Sequence, residues 1–389
     1  MNKIEQMLQE LCPNGVEYKK LGEVCDFVNG FAFKSSLFRE KGDRIIRITN
    51  IDGTNVNIDD VKYFWKTDYK NDLQPFLIKG GDILIAMSGA TTGKIGYYNY
   101  EVDSYLNQRV GKFVPIKDKL STRFLYHILR NKTEYLYVLA GGGAQPNLSS
   151  TKLMDSLEIP VPPLPIQEEI VRILDHFTEL TAELQAELQA RKEQYEYYRD
   201  KLLTFSILPP PIRNNIKWIK MGEIAKIGSG KNRIKSNIGT YPVYGSTGII
   251  AYCENLIYDT PQILIARVGA NAGFVQIAVG KYDVSDNTLI VNIENENKYY
   301  FKYFYYLLSN MRLNRLSKGG GQPLITATDI NKLLIPVPTL EAQQHIVSIL
   351  DKFETLVNNL SQGLPAEIAA VQEQYEYYRN KLLTFKRIA

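Results

Sequence analysis

The sequence predicts an α+β chain built twice over. Two strand-rich α/β bodies are each followed by a long helix, and the two helices pack as an antiparallel coiled coil about an internal pseudo-twofold. Three observations predict this. Glu193-Gln-Tyr-Glu-Tyr-Tyr-Arg-Asp-Lys-Leu-Leu-Thr-Phe205 returns as residues 373–385 with one change, Asp200 to Asn380. Apolar residues in both copies recur at steps of three and four, the spacing of a helical seam. The larger blocks also match at short anchors: Ile83-Leu-Ile-Ala-Met-Ser-Gly-Ala90 parallels Ile263-Leu-Ile-Ala-Arg-Val-Gly-Ala270, and Gly141-Gly-Gly-Ala-Gln-Pro146 parallels Gly319-Gly-Gly-Gln-Pro323. A two-copy repeat suits a target that itself has two halves, of which duplex DNA is the leading example.

The elements follow in order. Residues 1–158 form the first body. Short β-branched runs (Ile45–Ile48, Ile83–Ala86) are separated by Gly, Asn and Asp turns, and an aromatic helix follows over Phe124–Leu129. Residues 159–206 form the first long helix. Pro162, Pro163 and Pro165 set its start, and Pro209, Pro210 and Pro211 mark the linker beyond its end. Its seam runs Ile170, Ile173, Phe177, Leu180, Leu184, Leu188, Tyr195, Tyr198, Leu202, with the stem of Arg191 filling one position. The tandem Ala182-Glu-Leu-Gln and Ala186-Glu-Leu-Gln inserts a four-residue stutter. Residues 207–334 form the second body, with runs at Ile257–Ile265 and Leu289–Ile293 and an aromatic helix at Tyr303–Leu308. Residues 335–389 form the second helix, broken near Gly363-Leu-Pro365. Its seam runs Ile346, Ile349, Phe353, Leu356, Leu360, then Tyr375, Tyr378, Leu382. Neither seam can bury itself alone, so the two are expected to pack on each other.

Charge divides unevenly. The four segments 1–165, 166–206, 207–340 and 341–389 carry +2, −4, +7 and −1, summing to the net +4. The larger blocks read as polyanion-binding bodies on a neutral-to-acidic connector. No long apolar run or N-terminal signal suggests membrane insertion or export. Cys12, Cys25 and Cys253 are too few and too scattered for a disulfide framework, and His127, His176 and His345 have no ligand cluster around them.

The chain carries no catalytic motif of its own. Ser88-Gly-Ala-Thr-Thr-Gly-Lys94 is one residue short of a phosphate loop, and Ile95 stands where that loop needs Ser or Thr. Its counterpart at Gly269–Phe274 has no Lys, so a structural turn is expected. Gly228-Ser-Gly-Lys231 lacks the first Gly, and no Pro-Pro pair sits in the context a base-flipping methyltransferase needs. Candidate DNA-reading residues lie among the turns. These are Lys34, Arg47, Asn50, Lys94, Arg109, Gln145 and Asn147 in the first body, and Lys231, Asn232, Arg233, Lys235, Arg267, Lys318 and Gln322 in the second. Arg and Lys pair with guanine, Asn and Gln with adenine.

The layout resembles the specificity subunit of type I restriction–modification systems over the whole chain. It looks most similar to the type IC group, through the Ala-Glu-Leu-Gln repeat, the Gln-Tyr-Glu-Tyr-Tyr-Arg helix and the Gln362-Gly-Leu-Pro-Ala-Glu-Ile368 break. Asn29-Gly-Phe-Ala-Phe-Lys-Ser35, Gly81-Asp-Ile-Leu-Ile85 and Leu106-Asn-Gln-Arg109 resemble its target recognition domains. The resemblance implies that each body reads one half of a bipartite site in double-stranded DNA. The helices would be a ruler and the dock for two modification subunits. Those methyltransferase partners would carry S-adenosylmethionine and methylate adenine, and restriction subunits using ATP and Mg would join for cleavage. This chain would hold no cofactor or metal, would not catalyse, and would work in the cytoplasm of a bacterium or archaeon. A coiled-coil scaffold that ignores DNA and a fused DNA methyltransferase are the rival readings.

Overall fold

The computed structural model describes residues 3–143, 146–231, 239–318, 323–358 and 362–388. Gln145, Asn232, Arg233, Lys235 and Gln322 of the candidate set, and Leu360 of the second seam, lie outside these residues. The chain divides into two compact units, Met1–Glu183 with Ile368–Ala389, and Leu184–Glu367.

In the first unit an antiparallel sheet runs in the order Cys25–Asn29, Val110–Pro115, Ile83–Ala86, Ile95–Tyr97. The unbroken apolar run Ile83-Leu-Ile-Ala is explained by burial on both faces. Ile83 and Ile85 pack with Phe124, Leu125 and Ile128 of the helix Thr122–Arg130. Leu84 and Ala86 face the other way, onto Ile46 and Leu106 of a second sheet. That sheet runs Lys62–Phe64, Asp43–Ile46, Ser104–Leu106, Leu77–Ile78, with its middle pair parallel. The expected strand at Ile45–Ile48 is thus placed two residues early, and Ile48 opens a short 3-10 turn.

The second unit repeats this plan. Ala225–Ser229, Thr288–Ile293, Gln262–Ala266 and Val275–Ala278 form its four-stranded antiparallel sheet. Ile263 and Ile265 pack toward the helix Phe301–Asn310, and Leu264 packs on Tyr282 and Val284. The expected run Ile257–Ile265 enters the sheet only at Gln262, after Pro261, which has no N–H to give a ladder. The companion sheet keeps the parallel pair, Tyr241–Gly245 beside Asp283–Val284, but replaces the outer strands with one hairpin strand, Gly248–Cys253.

A buried glutamine ties each body to its long helix in the same way. Gln167 Nε2 donates to the carbonyls of Lys119 and Pro162 at 2.9 and 2.7 Å, and its Oε1 accepts from Ser121 N–H at 2.8 Å. Gln343 Nε2 donates to Lys298 and Pro338 at 3.1 and 2.9 Å, and its Oε1 accepts from Tyr300 N–H at 2.7 Å. Both side chains are fully buried, so every polar atom needs these partners.

The central helix spans Leu164–Leu203, and the C-terminal segment holds two helices, Leu340–Asn358 and Leu364–Leu382. The expected break is present: Gly363 begins the last helix's approach with φ +79°, where an added Cβ would strike the Leu356 carbonyl. In the first unit, Phe177 stacks on Tyr378 at 5.4 Å. Ile173, four residues earlier, shares a cleft with Leu382, four residues later, so the segments run antiparallel. In the second unit, Tyr198 stacks on Phe353 at 5.9 Å, with Tyr195 at 6.3 Å from the same ring. The central helix therefore has two successive partners, Leu364–Leu382 for its first part and Leu340–Asn358 for its second.

Burial refines the expected seams. Ile170, Leu184, Leu202, Ile346, Tyr375 and Leu382 are buried. Ile173, Phe177, Leu180, Leu188, Tyr195, Ile349, Phe353 and Leu356 are half-buried, and Tyr198 and Tyr378 are partly exposed. Leu174 and Leu350, outside the expected seams, are fully buried. They join the body clusters of Phe124 and Phe304. The apolar stripe is thus wider than a coiled-coil seam, as a helix packed on both a helix and a body requires.

Candidate nucleic-acid interface

One cleft in the first unit, of about 970 Å³, gathers polar side chains from several loops. Asn29 comes from the end of the first strand, Ser88 from the turn after Ile83–Ala86, and Gln108 and Arg109 from the approach to Val110–Pro115. Asn147 and Ser150 come from the loop entering the helix Ser150–Ser156. Backbone hydrogen bonds fix these loops. Met87 N–H donates to Arg109 O at 2.9 Å, Leu148 N–H to Met87 O at 2.7 Å, and Gly89 N–H to Pro146 O at 3.2 Å. Thr92 Oγ1 adds donations to Gly89 O at 2.6 Å and Pro146 O at 3.2 Å. The phosphate-loop look-alike Ser88–Lys94 is thus a clamped hairpin turn, as expected, with Gly89 and Gly93 at φ +80° and +82°.

The second unit repeats that framework bond for bond. Arg267 N–H donates to Asn287 O at 3.0 Å, Ile325 N–H to Arg267 O at 2.8 Å, and Gly269 N–H to Pro323 O at 3.1 Å. Gly269 and Gly273 have φ +79° and +94°. These bonds align the two units residue by residue: Asn29 with Ser229, Met87 with Arg267, Ser88 with Val268, Arg109 with Asn287, Asn147 with Leu324. Gln108, an amide that donates and accepts, becomes Asp286, which only accepts when ionised. The backbone is held while the side chains change character.

The remaining candidates separate by environment. Arg109 and Asn147 line the first cleft and are exposed. Lys34 and Lys231 are exposed, while Arg47 and Lys94 are half-buried and none of these four lines that cleft. Asn50 is a correction. It is 4 % exposed, its Oδ1 accepts from Arg47 N–H at 2.9 Å, and its Nδ2 donates to Asp60 O at 2.9 Å. With both ends of the amide engaged inside the body, it buttresses a turn and has nothing to offer a base. Arg267 is half-buried; its Nη1 donates to Ser229 Oγ at 3.3 Å and Asp286 O at 3.4 Å, and among the described residues its Nε has no partner. Lys318 lies 2.6 Å from Asp329, whose carboxyl is held down at about 2 by Lys318 and by Thr326. Asn29, Ser88, Gln108 and Ser150 were missed by sequence reasoning. Three of them occupy positions where the two copies can be overlaid and differ in chemistry, which was the available signal.

A second polar constellation fixes the helices. Arg123 Nε donates to Asp175 Oδ1 at 2.8 Å, and His127 Nε2 lies 2.8 Å from the same oxygen. His127 Nδ1 lies 3.4 Å from Tyr375 Oη, which accepts from Arg130 Nη1 at 3.2 Å. Burial pushes the His127 imidazole below its ordinary range despite Asp175. Burial would raise the Asp175 carboxyl, but its bonds with His127 and Arg123 outweigh it and hold the group low. The second unit substitutes Lys302, 2.7 Å from Asp351, and Tyr306 Oη, which donates to Asp351 at 2.6 Å and also meets Glu354. Among the described residues there is no cluster of metal-ligating side chains, and no helix is long and apolar enough to cross a membrane.

The model of the type I restriction modification DNA specificity domain matches this chain twice, over residues 13–191 and 214–370. The chain is 32% identical over 397 residues to a type I restriction enzyme specificity subunit of Haemophilus influenzae, covering 95% of this chain and 96% of that one. It is 36% identical over 253 residues to the EcoR124I/EcoR124II specificity subunit of Escherichia coli, covering 58% and 60%. Among solved structures it is similar to the S subunit of the type I restriction-modification system of M. genitalium, with TM-score 0.63 at 17% identity over 95% and 96% of the two chains. It is also similar to the HsdS subunit of Thermoanaerobacter tengcongensis, with TM-score 0.52 at 18% identity over 96% and 97%. The twice-built fold and its paired loop frameworks are those of a DNA specificity protein. The chain belongs to the family of type I restriction–modification DNA specificity subunits.

Proposed function

We propose that each unit reads one half of a bipartite target in double-stranded DNA, and that the repeated helical segments dock two copies of one modification subunit. One observation supports both parts: the polar side chains that line the first unit's cleft change at the matching positions of the second unit, while the exposed face of residues 193–205 is kept at 373–385. A coiled coil needs only its seam kept. Yet Tyr197 and Tyr377, 57% and 60% exposed, sit at the same place in both copies, beside Glu193/Glu373 and Glu196/Glu376. Identical exposed faces fit two identical partners, and exposed tyrosines are common interface anchors. The chain works without chemistry of its own. Bound methyltransferase subunits would supply S-adenosylmethionine and methylate adenine, and restriction subunits with ATP and Mg would cleave.

The test is co-expression of the chain with the modification subunits, followed by mapping of methylated adenines across the host genome. A single bipartite motif is expected. Methylation without a bipartite motif, or methyltransferase activity from the chain alone, sinks the proposal, as does a DNA-blind assembly. Tyr197→Ala and Tyr377→Ala should each cost one partner about 2 kcal/mol of binding, the scale of an interface hot spot, read as a loss of one modification subunit per complex. Inserting one more Ala-Glu-Leu-Gln after Gln189 lengthens the central helix by about 6 Å. That matches about two base-pair steps of roughly 3.4 Å, so the unread spacer of the motif should grow by one or two base pairs.

A further inference from the structure

The aligned frameworks place one arginine in each reading region, but on different strands. Arg109 stands on the strand entering Val110–Pro115; its counterpart in the second unit is Asn287. Arg267 stands at the end of Gln262–Ala266; its counterpart in the first unit is Met87, which is 7% exposed. In both units the two positions face each other across a backbone hydrogen bond, 2.9 Å in the first and 3.0 Å in the second. The second unit has therefore moved the root of its arginine across one strand.

Among the described residues neither guanidinium is paired with a carboxylate. Among the described residues Arg109 makes no ion pair or side-chain hydrogen bond, and it lines the cleft beside Asn147. Arg267 has no carboxylate partner. It is steadied by Ser229 Oγ and by the Asp286 carbonyl, the positions of Asn29 and Gln108, so its head lies where the first unit's cleft is walled. Many other cations are spent on carboxylates, as Arg39 is on Asp68, Arg123 on Asp175 and Lys318 on Asp329. A free guanidinium presents a planar fork of donors that matches O6 and N7 of guanine in the major groove.

We propose that Arg109 and Arg267 are the guanine-pairing residues of the two half-sites, and that their displacement by one strand sets guanine at different offsets from the methylated adenine. Neighbouring strands are about 4.8 Å apart and base pairs rise about 3.4 Å, so a one-strand move of the arginine's root, taken along the DNA axis, has the size of one to two base-pair steps. This rests on the bipartite DNA reading proposed above and adds the base type and register.

The experiment maps methylated adenines in hosts carrying the full chain with its modification subunits. The wild-type motif should contain a guanine in each half, at unequal distances from the methylated adenine. Arg109→Ala should relax one base position in one half only. Arg267→Lys, which keeps charge and bulk but loses the fork, should relax one position in the other half only. Competition binding with duplexes altered at that position should show discrimination falling by roughly 5- to 150-fold, the range of one bidentate contact. The double variant Met87→Arg with Arg109→Asn gives the first unit the second unit's arrangement and should move its guanine. Unchanged motifs in both single variants overturn the assignment, as does a wild-type motif with no guanine in one half. A wild-type complex with no bipartite motif refutes the underlying function instead.

Discussion

The two units share a skeleton and differ in its dressing. At Gln167 and Gln343 the side chain, its burial and all three hydrogen bonds are the same. At Asp175 and Asp351 the carboxylate is kept while its partners change, from Arg123 and His127 to Lys302 and Tyr306. Around the first unit's cleft and at the matching loops of the second, the backbone bonds and turn glycines are kept while the polar side chains change. Constraint thus falls off from the helix–body junction to the rim. The junction must satisfy buried backbone groups, which tolerate one solution; the rim faces solvent and can change at little cost to stability.

The sharpest test of this equivalence is Gln167→Ala beside Gln343→Ala. Each leaves one buried and two partly buried backbone groups without a partner, so each should cost about 2–5 kcal/mol at roughly 1–3 kcal/mol per group, the partly buried ones relieved by water. Denaturant unfolding should show two similar losses; a difference above about 2 kcal/mol would break the comparison. Next come Leu174→Ala and Leu350→Ala, both fully buried, at about 2–5 kcal/mol each. The half-buried seam leucines Leu180→Ala and Leu356→Ala should cost less, about 1–2 kcal/mol.

The smallest effect separates the units. Burial lowers the folded pKa of His127, so the unfolded chain takes up that proton first. Stability should therefore fall as pH drops below about 6.5 and level off once the folded imidazole is also protonated. His127→Tyr, which borrows the second unit's residue, should flatten the melting temperature of the first unit between about pH 7 and 5. A slope that persists in this variant would place the titrating group elsewhere.

Much of this was legible in the sequence. The repeat gave the twofold plan, and Gly363-Leu-Pro365 gave the helix break. The aromatic helices were read within two residues at each end. What stayed hidden has physical reasons. A seam shows that a helix needs a partner, not which one, so the division of the central helix between two partners could not be read. Leu174 and Leu350 fall off the heptad because they also pack into a body's core. Asn50 looks like any turn asparagine until its two ends are found engaged. The first cleft is assembled from positions 29, 88, 108–109 and 147–150, brought together only by sheet order.

The first unit is closed by residues 368–388, far from its other residues along the chain. Val16 N–H donates to Lys386 O at 2.8 Å, Ile388 N–H donates to Val16 O at 3.2 Å, and Tyr375, Leu382 and Leu383 belong to the first unit's core. The second unit is a single contiguous stretch, Leu184–Glu367. During synthesis, which commonly completes domains from the N-terminus onward, the order here is reversed. The second unit draws on one stretch that precedes residue 368, and the first must wait for residues 368–388. A chain cut after Glu367 would hold all of the second unit beside a first unit left open, with apolar surface that proteases and chaperones recognise.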